Sequence, residues 1–286
     1  MKTRKKIKRK ILLSTIIFLI ATAGAVVAIW CLNRPTNQPI ANIEQPAPIV
    51  TQPEVKKTTE PIIPNTNGIP ILMYHFFYDS RLGQTGADSN YTDVVEFDKQ
   101  MEYLSDNGYY TPTWRELADY IDGTKILPEK SIILTFDDGA SSFFSLAYPV
   151  LVKYQIQATS FIVTSWTTNP DSLDVDRKLI SFQSHSNDMH QGGCTGGHGG
   201  LFQCIDHQLG LDDLNKSKQV TGSSDAFCYP FGDYNDSEKQ LLLEAGFKIA
   251  VTTEYGKAKI GMEKLQLPRI RMNGGTSLDG FIGAIN

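Results

Sequence analysis

Ser131-Ile132-Ile133-Leu134-Thr135-Phe136-Asp137-Asp138-Gly139 is an apolar run that ends in two adjacent carboxylates and a glycine. Such a run is how a strand buried on both faces reads, and strands of that kind belong to parallel sheets covered by helices. In α/β folds the chemistry collects in the crevice at the carboxyl ends of the strands. Taken alone, Asp-Asp-Gly is ordinary turn chemistry; the apolar run before it makes it a strand end facing that crevice. Two neighbouring acids there can divide the work. One can hold a cation, while the other stays ionised beside it and takes protons.

Around this strand, the chain past Gly68 alternates short apolar runs with helical periods, the signature of a βα-repeat fold. The pattern predicts a first strand at Ile71–Tyr74 and a helix over Glu96–Asn107 stopped by Gly108. Thr113-Trp114-Arg115-Glu116 is a capping box that opens a second helix. Further strands are expected at Ser131–Phe136, Ala158–Thr164, Leu179–Ser184, Ala226–Tyr229, Lys248–Thr252 and Leu267–Met272, with helices at Phe143–Tyr154 and Ser237–Ala245. The expected fold class is α/β, an irregular parallel (β/α) barrel rather than an open sheet.

At 286 residues and 41% hydrophobic content the chain has room for one large domain plus appendages. The net charge of −4 hides an asymmetry, because Lys2, Arg4, Lys5, Lys6, Lys8, Arg9 and Lys10 make residues 1–10 strongly basic. The acidic remainder offers no footprint for nucleic acid. From Ile11 to Leu32 the chain carries no charge, about the ~20 residues that span a bilayer as a helix. The basic residues before it hold the amino terminus in the cytoplasm and send the rest outward. Ala21-Thr22-Ala23 and Ala23-Gly24-Ala25 would suit signal cleavage, but the apolar stretch runs past the ~7–15 residues of a secretory core, so an uncleaved anchor is expected. Cys31 reads as a thiol inside that segment, since Trp30 before it is too large for a lipoprotein cleavage site. Residues 33–67, with prolines at 35, 39, 46, 48, 53, 61 and 64, read as an extracellular linker. If extended like polyproline at ~3.1 Å per residue, it reaches up to about 100 Å, a distance that suits a substrate in a cell wall. The expected organisation is therefore a cytoplasmic segment 1–10, a membrane anchor 11–32, a linker 33–67 and a catalytic domain 68–286.

His185-Ser186-Asn187-Asp188-Met189-His190 follows another expected strand. Two histidines at one strand end and a carboxylate pair at another could supply the His-His-carboxylate set that catalytic zinc favours. The five-residue separation of His185 and His190 misses the helical i, i+4 spacing, so a turn must bring the rings together.

With these residues in place the chain resembles the polysaccharide deacetylases of carbohydrate esterase family 4, which share the NodB homology domain, over about Ile69 to the end. The first family motif matches as Thr135-Phe136-Asp137-Asp138-Gly139, and the resemblance implies Asp137 as catalytic base and Asp138 as metal ligand. The second matches at His185, Ser186 and His190, implying two more ligands; the poly-N-acetylglucosamine deacetylase branch uses this five-residue spacing. The third motif, normally Arg-x-Pro-Tyr-Gly, reads Cys228-Tyr229-Pro230-Phe231-Gly232 and lacks the arginine that orients the base. Arg269 or Arg271, on the expected last strand, is the candidate replacement. The carboxy-terminal Leu-x-His motif that supplies the general acid is absent. Ile71-Leu72-Met73-Tyr74-His75 resembles the permuted arrangement in which a first-strand histidine takes over, first and last strands being neighbours in a closed barrel. Without the resemblance, His75 is simply a strand-end histidine.

The resemblance implies one divalent ion, zinc by default with cobalt, nickel or manganese as alternatives, an oxyanion donor at the Phe231 N–H, and proton delivery by His75. Tyr229, Phe231 and Tyr234 are the candidate substrate residues; Tyr74 and Trp166 could also stack on sugars, though core packing is the default for an aromatic. The Gly-rich insertion from Gly192 to Cys204 could be closed by a Cys194–Cys204 disulfide outside the cell. Alternatively His198 and His207 could join those cysteines in a second zinc site, while Cys228 reads as a small buried thiol. The expected function is a monomeric, membrane-anchored, outward-facing de-N-acetylase acting on N-acetylglucosamine in a bacterial cell-wall glycan. Exported poly-N-acetylglucosamine is an alternative substrate, and an O-acetyl esterase or an inactive glycan-binding module are alternative activities.

Overall fold

The structure is a computed structural model, described over residues 63–166 and 174–286. The expected anchor at 11–32 and all but the end of the expected linker lie outside these residues. Among the described residues no helix is long and apolar enough to cross a membrane.

Among the described residues, ten strands and six α-helices follow in order. They are β1 (Ile69–Tyr74), β2 (Phe76–Tyr78), β3 (Tyr91–Asp93), α1 (Val94–Asp106), α2 (Trp114–Ile121), β4 (Ile133–Phe136), α3 (Tyr148–Tyr154), β5 (Ala158–Ile162) and β6 (Ile180–Ser184). Then come α4 (His207–Thr221), β7 (Ala226–Cys228), α5 (Asp236–Glu244), β8 (Ile249–Tyr255), β9 (Lys257–Ala258), β10 (Leu267–Arg271) and α6 (Leu278–Ile285). The parallel sequence β1-β4-β5-β6-β7-β8-β10 closes on itself through a β10–β1 pairing, giving a seven-stranded parallel barrel. β9 lies antiparallel on β1, and β2 pairs with β3 separately.

Alternation along the strands sorts the cores. On β1 and β4, Leu72, Tyr74, Leu134 and Phe136 belong to a cluster under the outer helices, while Ile69, Ile71 and Ile133 fill the barrel, closed at one end by Trp114, Leu117 and Ile121 of α2. The same parity carries Asp137 and His75 inward, two residues past Thr135 and Met73, whereas Tyr229 follows Phe227 outward into a third cluster. Register then aligns the ends: Tyr74 pairs with Phe136 and Ser184 with Phe227, so His75 leaves beside Asp137 and His185 beside Cys228.

The expected helix over 143–154 is divided. Phe143–Ala147 forms a wide π-turn in which the Tyr148 N–H donates to the Phe143 carbonyl, and the α-helix begins only at Tyr148. Pro149 has no N–H for the carbonyl one helical turn back, and the ladder opens there. The capping box at Thr113 forms as expected, Thr113 and Glu116 each bonding the other's backbone N–H. Helix α4 has no counterpart in the hydrophobic pattern. Its buried face is Gly210, Asp213, Leu214, Ser217 and Thr221, where Leu214 is the single large apolar side chain and leaves no apolar period to read.

Candidate active site

The inward-facing strand ends converge on a cleft of about 310 Å³ lined by His75, Asp137, Asp138, His185, His190 and Arg269, among others. Asp137 is buried and held by both arms of Arg269, Nη1 to Oδ1 at 2.8 Å and Nη2 to Oδ2 at 2.7 Å. Arg269 is itself buried and anchored through Nε on the Thr252 carbonyl and Nη1 on Thr135 Oγ1. Burial alone would push the Asp137 carboxyl up; the paired guanidinium overrides it and holds the group below the usual carboxylate range. Of the two arginines expected to replace the missing motif arginine, Arg269 makes this contact. Arg271 instead donates to Asn90 Oδ1 at 2.6 Å.

Cys228 stands at the position the missing arginine would occupy and is part of the site. Its Sγ lies 3.3 Å from Arg269 Nη2 and donates towards Asp137 Oδ2 at 3.5 Å. The small side chain leaves room for the guanidinium to arrive from β10, two strands away. The signal for Cys228 was strand parity, which makes it an inward residue.

Asp138 would face away from Asp137 on a regular strand. It adopts a left-handed conformation, φ 72°, which Asp tolerates better than most residues, and both carboxylates reach one cleft. Ser186 turns the other loop in the same way, φ 71°, and so answers the five-residue spacing. Asp213 of α4, unexpected from sequence, pins that turn by accepting the N–H groups of Asn187 and Asp188, both at 2.8 Å.

Asp138 Oδ1 lies 3.5 Å from His185 Nε2 and 3.4 Å from His190 Nε2, and this buried oxygen has no hydrogen-bond partner among the described residues. Both separations are close to the ~3.3–3.4 Å edge of a tetrahedron with bonds of about 2.0–2.1 Å, and the three ligand atoms all lie within 4.8 Å of one another. The donor set fits a divalent ion with one position open. His185 Nδ1 donates to the Cys228 carbonyl at 2.7 Å, which fixes the tautomer and frees Nε2. Burial, then the neighbouring His185, lower the His190 pKa to about 4, so its ring is neutral and able to ligate. A second grouping, Asp137, His185 and Cys228, is already served by the Arg269 cation.

His75 Nε2 is 3.8 Å from Asp137 Oδ2, and burial lowers its pKa against the pull of that carboxylate. Phe231 sits in a left-handed turn, φ 60°, with its ring stacked on His190 at 4.6 Å between centroids; Trp166 meets that imidazole in a T-shaped contact at 5.2 Å. Gly232, φ 80°, completes the turn, and a Cβ there would run into the Thr253 side chain. Gly232→Ala is expected to cost about 2–4 kcal/mol from backbone strain plus overpacking, read as a lowered denaturation midpoint, with a loss of activity because Phe231 shifts.

Tyr229 and Tyr234 are placed differently from Phe231. Tyr229 is among the residues lining the cleft, but it is buried, with its hydroxyl donating to the Leu265 carbonyl at 2.9 Å. Tyr234 stacks on Tyr229 and donates to Glu254 at 3.0 Å, away from the cleft. The Cys194–Cys204 disulfide is formed. The alternative second zinc site is therefore not built: its cysteines are consumed, His198 bonds Asp233 and His207 bonds Glu244.

Residues 124–250 match the family profile described as Polysaccharide deacetylase. This range holds Asp137, Asp138, His185, His190 and Phe231, while His75 and Arg269 lie outside it. A protein of Bacillus subtilis (strain 168) named "Putative polysaccharide deacetylase YxkH" is 28% identical over 93% of this chain and 95% of its own length. A poly-beta-1,6-N-acetyl-D-glucosamine N-deacetylase of Staphylococcus aureus (strain MRSA252) is 28% identical over 61% of this chain and 65% of its length. Among solved structures, the Streptococcus pyogenes deacetylase PplD in complex with acetate aligns with TM-score 0.63 and 25% identity, covering 78% of this chain and all of that one. The chain thus resembles polysaccharide deacetylases, in sequence over residues 124–250 and in fold over 78% of its length.

Proposed function

We propose that the chain is a metal-dependent de-N-acetylase that removes acetyl groups from N-acetylglucosamine residues of a bacterial cell-wall glycan. In this reading the domain works outside the cell, held to the membrane by residues 11–32. The observation that carries the proposal is the orphaned Asp138 Oδ1 between two imidazoles, beside a buried carboxylate locked ionised by Arg269. Sugar binding alone needs no such arrangement. The Cys194–Cys204 bond supports an oxidising, outward location.

The reaction is hydrolysis of a carbon–nitrogen bond other than a peptide bond. Asp138, His185 and His190 would hold the ion; when bound, it supplies Lewis-acid chemistry, polarising the acetyl carbonyl and making water more acidic. Asp137 takes the proton of the attacking water as its oxygen bonds the acetyl carbon. The Phe231 N–H bears on the developing oxyanion. His75, neutral at rest through burial, receives the proton from Asp137 across the 3.8 Å separation and passes it to the amine nitrogen. The carbon–nitrogen bond then breaks to give acetate and a free glucosamine amine. Arg269 keeps Asp137 oriented throughout.

The test is acetate release by the full-length protein from purified wall glycan and from poly-β-1,6-N-acetylglucosamine, with metal-stripped protein and Asp138→Asn as controls. Release that depends on metal and Asp138, with amines appearing in step, supports the proposal. Release from the β-1,6 polymer alone would favour an exopolysaccharide substrate, the reading to which the Staphylococcus aureus likeness points. Acetate without new amines would mean ester cleavage instead.

A further inference from the structure

The Gly-rich insertion is fitted to the Phe231 turn more closely than a surface loop needs to be. It is closed by the Cys194–Cys204 disulfide, and the Gly193 and Cys194 N–H groups both donate to the Gly199 carbonyl. Asp233, immediately after the Phe231-Gly232 turn, is buried, and its carboxylate takes four contacts from the insertion. The His198 N–H reaches both oxygens at 2.9 Å, the Gly200 N–H reaches Oδ2 at 3.0 Å, and His198 Nδ1 reaches Oδ1 at 2.9 Å. The approach requires glycine: a Cβ at Gly200 would sit 2.9 Å from the Phe231 ring, and one at Gly197 would collide with the Asp233 carboxylate.

This docking holds His198 in the wall of the cleft that contains Asp138 and His190. The histidine is not buried for packing, since 68% of its side chain is exposed. A buried carboxylate accepts hydrogen bonds, so Nδ1 carries the hydrogen given to Asp233, and Nε2 is the ring nitrogen left to take a further hydrogen bond. An imidazole oriented by a buried carboxylate, in a braced loop, with its second nitrogen uncommitted at a cleft, is organised to bind something there.

We infer that His198 is a substrate-binding residue, whose Nε2 accepts a hydrogen bond from a hydroxyl or acetamide N–H of the glycan lying against the Phe231 turn. The inference rests on the deacetylase reading above. The disulfide then serves affinity by presenting a fixed wall to the sugar and sparing the ordering cost of a Gly-rich loop on binding.

The discriminating variant is His198→Asn in the full-length protein. Its side-chain amide can still donate to Asp233 from nearly the Nδ1 position, but it has nothing in place of Nε2. On a β-1,6-linked penta-N-acetylglucosamine oligomer, KM is expected to rise about five- to tenfold with kcat within about twofold, the pattern of a lost binding contact. Zinc affinity, read by titration of the stripped protein, stays at the wild-type value because His198 is no ligand. Cys194→Ser with Cys204→Ser also raises KM, and adding His198→Asn to that pair produces less than its separate effect, since both act through one loop. Wild-type KM in His198→Asn, or an altered zinc affinity, would overturn the inference while leaving the deacetylase reading intact. No acetate from the wild type on this oligomer or on wall glycan would overturn both.

Discussion

Arg269→Met is expected to destabilise the domain by about 3–5 kcal/mol, because it leaves the buried Asp137 charge without its partner. For a domain of this size that is a fall in melting temperature of about 10 °C. The two short bonds to Asp137 disappear together, and the Thr252 carbonyl and Thr135 hydroxyl lose their donor as well. The pH dependence gives the prediction its sign. The folded Asp137 carboxyl lies below its ordinary value, so in the wild type its contribution is complete above the unfolded value of ~3.9 and is lost only as pH falls through the depressed folded value. In the variant burial remains and the cation is gone, so the folded carboxyl rises above its unfolded value. The deficit should be largest near neutrality and shrink in acid, and the acid limb of the activity profile should move to higher pH. Denaturation at several pH values together with a pH–rate profile checks this; equal deficits at pH 4 and pH 7 would contradict it. Arg269→Lys should recover little, since a single ammonium cannot make the forked contact.

Asp138→Asn is expected to abolish stoichiometric zinc binding and to lower acetate release by about 10³-fold or more, the several kcal/mol that Lewis-acid assistance supplies. The fold should survive, because asparagine accepts the left-handed backbone at position 138 as readily as aspartate. The metal-free variant should melt no lower than the metal-free wild type, since it removes a buried carboxylate oxygen that has no partner. Excess zinc should raise the melting temperature of the wild type alone. Melting with and without zinc, beside the acetate assay, separates loss of the site from loss of the fold.

How much of this was legible in the chain depends on the physical origin of each feature. The strand ending in Asp137-Asp138, the capping box at Thr113 and the barrel architecture are local signals of composition and period, and each stands where the sequence places it. Parity, applied strand by strand, would also have brought Cys228 inward and sent Tyr229 outward, but it needs the register of neighbouring strands, which no single segment contains. Helix α4 and its Asp213 were hidden because a helix that buries glycine, serine and threonine has no apolar face to detect. Arg269 and Arg271 share one face of the last strand, so the choice between them turned on which lies level with Asp137, a matter of register between strands. The Asp233 anchor of the insertion was invisible because its partners are mostly backbone N–H groups, which every residue but proline carries.

The ring closure between the first and last strands dates the site in the life of the chain. Asp137 and Arg269 are separated by 132 positions, and His75 lies on the opening strand. A nascent chain that has released everything up to the Gly232 turn already holds both carboxylates and the imidazoles of His185 and His190, yet Asp137 has no counter-ion. The site is therefore completed only when β10 has emerged. In refolding, recovered acetate release reports the arrival of the last strand, a long-range event expected to lag behind the local helices.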